Sequence, residues 1–109
     1  MPIRFGDLKV ADGDLVLASH MPDALTAGSL RFDDGATQVF TADGRTTYVE
    51  QGRSSRGQWA VIDDGEFSSF WPPDYRATYA LRWIVEAGVV TGLSFIHEET
   101  GDRFDGRYE

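Results

Sequence analysis

The chain has 109 residues, 41% hydrophobic and 26% charged, which fits one soluble globular domain spanning residues 1–109 around a single core. Its formal net charge is -8 and Lys9 is its one lysine, so it lacks the clustered basic surface that nucleic acid or an anionic membrane demands. With no cysteine it has no disulfide framework, no thiolate nucleophile and no zinc-thiolate site.

In chain order, Ile3 to Phe5 and Leu15 to Ser19 read as short extended segments separated by the turn pair Asp12-Gly13. Leu15 to Ala18 is continuously apolar and could be buried on both sides. His20 to Gly28 is the one helical segment, one or two turns long, with Pro22 and Asp23 suiting a first turn and Gly28 a C-terminal cap. The N-terminus carries no apolar run of signal-peptide type, and no 18 consecutive residues are apolar, so a cytoplasmic location is expected.

From Ser29 onward the pattern is strand punctuated by glycine. Leu30 and Phe32 precede Asp33-Asp34-Gly35, Val39 and Phe40 precede Asp43-Gly44, and Thr46 to Val49 is β-branched and aromatic. Gln51 to Gly57 is polar and reads as a longer loop or frayed strand end. Gly57 to Pro73 reads as a complete hairpin, with Trp59 and Val61 on one side of its first strand, Asp63-Asp64-Gly65 as the turn and Pro72-Pro73 as the stop. Arg76 to Glu86 places Ala77, Tyr79, Leu81, Trp83 and Val85 on one face. Ala87-Gly88 turns the chain into Val89 to Glu98, and a last strand runs from Arg103 to Tyr108.

These make about eight strand candidates with almost no helix to cover a flat sheet. The expected fold is therefore all-β: a single antiparallel up-and-down β-barrel of about eight strands with one short N-terminal helical turn. A two-layer sandwich has the same alternation and is the alternative. The aromatic share of 13% suits a barrel whose rings face inward.

This strand succession, with Gly57-Gln58-Trp59 and the Trp-rich hairpin, resembles small lipocalin-like (calycin-like) bacterial β-barrels across Ser29 to Tyr108. The resemblance implies an interior able to hold a small apolar ligand, in a group of barrels that includes carriers and a few enzymes.

His97 is the candidate catalytic residue. It shares a face with Leu93 and Phe95, and an imidazole there could act as general acid or base. Its surroundings depend on the last turn: a loop of Glu99-Thr100-Gly101 sets His97 opposite Arg103 with Asp105 diagonal to it, and a loop of Thr100-Gly101 sets it opposite Phe104. Tyr48 and Glu50 share one face and Tyr79 and Trp83 another. With Trp59, Trp71 and Phe95 these are the candidate ligand-binding residues, since rings that fill a core also line an apolar pocket and a phenol or carboxylate can fix a ligand's polar end.

Neither His20 nor His97 has a second histidine at ligand spacing, and the Asp-rich turns lack the ordered ligands of a calcium loop, so no metal and no cofactor are expected. Arg53 and Arg56 could hold an anion. The leading expectation is small-molecule binding inside the barrel. One alternative is a barrel enzyme using His97 for proton transfer in a cyclisation, isomerisation or elimination. The other is a homodimeric interaction module without a cavity, presenting Ile62, Phe70, Ile84 and Ile96 outward.

Overall fold

A computed structural model describes residues 9–62 and 65–109. The segment Ile3 to Phe5 and the Asp63-Asp64 portion of the central turn lie outside the described residues. Eight antiparallel strands close into one barrel: β1 (Leu30–Phe32), β2 (Thr37–Phe40), β3 (Arg45–Glu50), β4 (Arg53–Ile62), β5 (Glu66–Trp71), β6 (Tyr75–Glu86), β7 (Val89–His97) and β8 (Arg103–Tyr108). Each strand pairs with its neighbours in sequence, and β8 pairs back to β1 through Leu30↔Tyr108, Arg31↔Arg107 and Phe32↔Gly106. A sandwich is thereby ruled out, and no sheet edge runs the length of the fold.

Alternation sets the inner face. Leu30, Phe40, Phe67, Leu81, Trp83, Leu93 and Phe95 are buried and pack into one cluster, while Val39, Val49 and Ile62 point outward and are exposed. The face expected for Arg76 to Glu86 is observed, with Ala77, Leu81 and Trp83 buried and a register shift between Ile84 and Val85.

The chain before β1 closes one end. Gly13 N donates to Trp83 O at 2.9 Å, Trp83 N to Asp14 O at 2.8 Å and Val16 N to Leu81 O at 2.9 Å. This occupies the stretch of β6 beyond Tyr79, where pairing with β5 has ended. A 3-10 turn (Ala18–His20) then leads into α1 (Met21–Thr26), with Pro22 in the first turn as expected. Met21, Ala24 and Leu25 are buried against the barrel core, and the Tyr108 hydroxyl donates to Ala24 O. The helix is a plug.

Two segments depart from the sequence expectation. Leu15 to Ala18 is not buried on both sides: Val16 is 3% exposed but Leu15 and Leu17 are 54% and 61% exposed, because only one side of this segment meets the barrel. Arg53 to Gly57 is fully paired strand, neither a longer loop nor a frayed end. Gln51 and Gly52 have φ of 51° and 79° and form the tight left-handed turn that matches strand twist, so pairing resumes with Glu50 opposite Arg53.

Two glycines are required by close approach. A Cβ at Gly92 would stand 2.0 Å from Gly106 O, where β7 crosses β8. A Cβ at Gly57 would stand 2.6 Å from both Phe70 O and the Trp71 ring, so this glycine is what lets Trp71 lie across β4.

Burial raises the pKa of Tyr108 above its ordinary value of 10. The unfolded chain releases that phenolic proton near pH 10 while the folded chain holds it, so the stability tied to this group is complete below that pH and is lost as pH rises above it. Tyr108→Phe is expected to lose less stability than wild type between about pH 9 and about pH 11, measured by urea unfolding at both pH values.

Candidate functional site

The end opposite α1 is open. A cavity of about 750 Å³ enters there between the β1–β2, β3–β4, β5–β6 and β7–β8 turns, a size typical of small-molecule sites. Its floor is made by Phe67 and Phe95. Phe95 is the hub of the interior: its ring lies 5.6 Å from Phe67, 5.8 Å from Phe32, 6.1 Å from Phe40 and 6.3 Å from Tyr79, in mostly tilted or edge-on geometries. Phe40 and Trp59 pack beneath this floor and do not line the cavity.

Small residues make the hollow. On β5, Ser69 lies between Phe67 and Trp71 on the inner face, and its partner across β6 is Ala77. On β4, Ser55 faces Tyr48. A filled eight-stranded barrel of this girth would need larger side chains at these inward positions.

Polar groups line the cavity beside the rings, each placed by its strand. Gln38, on β2, is 8% exposed and donates from Nε2 to Thr46 Oγ1 at 2.9 Å. Thr46 in turn donates to Val39 O at 2.9 Å, so the Gln38 amide oxygen is what this residue can offer an occupant. Ser69 is 2% exposed, and its Oγ has no hydrogen-bond partner among the described residues. Tyr48 donates to Glu50 Oε2 at 3.0 Å. Burial first, and then the carboxylates of Glu50 and Asp34, push the Tyr48 phenol up to about 12. Burial likewise raises Tyr79, with Tyr75 adding to it.

The charged groups around the mouth are largely paired with one another. Arg103 Nε lies 2.9 Å from Asp105 Oδ1, and Ser94 Oγ donates to the same carboxylate at 2.6 Å. Burial opposes ionisation of Asp105, but the hydrogen bonds from Ser94 and Arg103 and the charge of Arg107 outweigh it and hold its pKa below the ordinary value. Arg56 stands opposite Thr47, on the outward face of β4, where it borders an outer groove with Arg45 and Asp43.

Of the residues singled out from sequence, Tyr48, Trp71, Tyr79 and Phe95 come together on the cavity wall. Glu50 sits at the rim as the acceptor of the Tyr48 hydroxyl. Trp59 and Trp83 lie deeper, Trp59 under Phe40 and Phe67 and Trp83 fully buried near the plugged end. Phe104, on the face of Leu93 and Phe95, also lines the cavity, as do Phe32, Gln38, Ser55, Ser69 and Tyr75, which the sequence does not single out. Their inward parity was readable from strand alternation, but small and amide side chains carry no chemical signature that marks a pocket.

His97 is on the inner face yet does not line the cavity. Neither register considered for its hairpin is adopted. Phe95 pairs with Phe104 and Ile96 with Arg103, so His97 stands opposite Asp102, with His97 N donating to Asp102 O at 2.8 Å and Gly101 N donating back to His97 O at 2.9 Å. The loop is four residues, Glu98 to Gly101, because this puts Phe104 inward beside Phe95 while His97 Nδ1 accepts from Glu99 N at 3.1 Å and Thr100 N at 3.3 Å. The ring packs edge-on to Tyr79 at 5.2 Å. Its acceptor nitrogen thus organises the turn.

No group of three or more histidine or carboxylate side chains gathers as a metal site among the described residues. Of the outward apolar positions, Ile84 is 5% exposed and Phe70 is covered by the Arg76 guanidinium at 4.4 Å from its ring, so the four expected residues do not form one exposed patch. Neither a protein family, nor a curated protein, nor a solved structure matches this chain.

His97→Ala is expected to destabilise the fold by about 1 kcal/mol through loss of the turn contacts. It should leave the affinity of a cavity probe such as N-phenyl-1-naphthylamine within about twofold, since the imidazole is not on the wall. Urea unfolding and a fluorescence titration check the two halves.

Proposed function

We propose that this protein binds a small, largely apolar ligand inside its barrel, as lipocalin-like barrels do. The observation that carries the reading is the one-ended cavity of about 750 Å³ walled by aromatic side chains. Such a surface gains roughly 25 cal/mol for each Å² of apolar area that an occupant covers.

The buried Ser69 hydroxyl supports the same reading from the side of stability. An unpaired buried hydroxyl costs the empty fold about 1 to 3 kcal/mol, a cost that a bound group able to hydrogen-bond would relieve. Residues that lower stability and face a cavity are characteristic of binding sites. The proton-transfer alternative has less behind it, because His97, its proposed acid or base, holds the turn at the edge of the barrel instead of facing the cavity.

The test is a titration with N-phenyl-1-naphthylamine, an uncharged probe whose fluorescence rises in apolar surroundings. Saturable enhancement with one site per chain is expected, and Ser69→Leu, which fills the hollow, should weaken it at least about tenfold while circular dichroism stays that of wild type. Ser69→Ala should raise the stability of the ligand-free protein by about 1 kcal/mol. Absence of any saturable enhancement in wild type would remove the proposal.

A further inference from the structure

The cavity is polar on one side and aromatic on the other. Gln38, Tyr48 and Ser55 are direct cross-strand partners, Gln38↔Tyr48 and Tyr48↔Ser55, and form a polar stripe across β2, β3 and β4, while on β5 Ser69 stands opposite Trp59 and borders the same cavity. In an eight-stranded barrel β6, β7 and β8 face these strands across the axis. That opposite wall carries Tyr79, Phe95 and Phe104, whose rings meet at centroid distances of 6.3 Å for Tyr79 with Phe95 and 6.4 Å for Tyr79 with Phe104. Besides the Tyr79 phenol, its polar side chains are the Arg103–Asp105 pair at the mouth and His97, whose Nδ1 is turned to its own loop.

Two arginines border the cavity at its mouth, Arg56, opposite Thr47 on β3, and Arg103, opposite Ile96 on β7 and paired to Asp105, and the carboxylates of Asp33, Asp34 and Asp105 border it beside them. At the floor, among Phe67, Phe95 and Ser69, a carboxylate would be desolvated with aromatic rings and neutral groups around it. The chain's net charge of -8 works against it on approach as well. What the interior does offer are neutral hydrogen-bonding groups, the Gln38 amide oxygen and the Ser69 hydroxyl, both more than nine-tenths buried. The second is unpartnered among the described residues.

From this division we infer that the ligand is an uncharged, flat ring compound with hydrogen-bonding groups along one edge: the ring face lies against Phe95, Phe104 and Tyr79, and the polar edge meets Gln38 and Ser69. This rests on the binding reading above and narrows it. A chain with a charged end, such as a fatty acid, has its polar group in one place and its apolar surface on all sides, so it fits neither wall. An unsubstituted ring fits the aromatic wall but leaves the two buried polar groups unmet. A site with unmet hydrogen-bonding groups discriminates against ligands lacking the matching groups more sharply than an apolar pocket discriminates by size.

The experiment is displacement of N-phenyl-1-naphthylamine by three compounds: 2,3-dihydroxynaphthalene, its apolar isostere 2,3-dimethylnaphthalene, and decanoate. In wild type the diol is expected to displace the probe at concentrations at least about tenfold lower than either of the others. In Ser69→Ala, and more strongly in Ser69→Ala with Gln38→Leu, the diol's advantage over the dimethyl compound should shrink below about threefold, with the affinity of the dimethyl compound retained. Should the double variant fail to fold, Ser69→Ala alone decides, since that change deletes one buried oxygen and adds nothing. Probe binding with the dimethyl compound or decanoate equal to or better than the diol would overturn this inference and leave the binding function standing. Survival of the diol's advantage in the variants would do the same. If the probe does not bind and calorimetry detects no heat from the diol, both readings fall together.

Discussion

The pairing of Leu30, Arg31 and Phe32 with Tyr108, Arg107 and Gly106 is what turns a row of hairpins into a barrel. The other seven contacts between strands are local, made across turns of a few residues, whereas this one joins positions more than seventy residues apart and must offset the corresponding loss of chain entropy. It is only three pairs long. Backbone hydrogen bonds alone would hold it poorly, and the exposed ion pairs that flank it, Arg31 with Glu109 and Arg107 with Asp33, contribute little in water. The substantial contribution is burial: Leu30 is fully buried, and Tyr108 reaches from the seam to the helix that plugs the barrel. Closure and plugging are thus one event, and α1 stabilises the seam from below.

The same economy explains why the barrel is filled at one end and hollow at the other. Near the plug, Trp83, Leu81, Leu93, Met21 and Leu25 take up the interior. Toward the mouth, the inward positions alternate between large rings and residues as small as Ser55, Ser69 and Ala77, and the rings rest against one another instead of meeting across the axis. Phe95 marks the boundary, touching Phe40 on the packed side while its other neighbours border the hollow. The short β1 adds to the openness. Above Phe32 the chain turns away at Asp33-Asp34, while β8 continues to Arg103, so this part of the wall is a turn facing a strand without ladder bonds between them.

Much of the fold was legible because its signals are local. Gly-containing turns and period-two alternation give the eight strands nearly in place, with β8 matching residue for residue and β6 and β7 differing by one residue at an end. The Gln51-Gly52 turn is not legible in the sequence because glutamine seldom takes a positive φ. At His97 the hydrophobic pattern correctly sets Phe104 and Tyr108 on the face of Leu93 and Phe95, but parity alone does not fix the loop length, which the pairing of Phe95 with Phe104 and the acceptance of two amides by the imidazole set at four residues. The aromatic part of the cavity could be named in advance, as Tyr48, Trp71, Tyr79 and Phe95. Its polar part could not, because Gln38 and Ser69 acquire meaning only through what surrounds them, and Trp59 and Trp83 are equally aromatic yet lie beneath the floor or near the plug.

The asymmetry of the two ends also bears on time. With α1 and the Gly13–Val16 segment bonded to the plugged end, opening there would break core contacts and requires much of the unfolding free energy. The Asp33-Asp34 turn at the other end borders the cavity without ladder bonds to β8, and the ion pair that ties it to that strand, Asp33 with Arg107, is exposed, so displacing it costs far less. A ligand bound as proposed would pass this turn and the Trp71 ring that Gly57 allows to lie across the wall. Such a ligand would come and go while the plugged end stays closed.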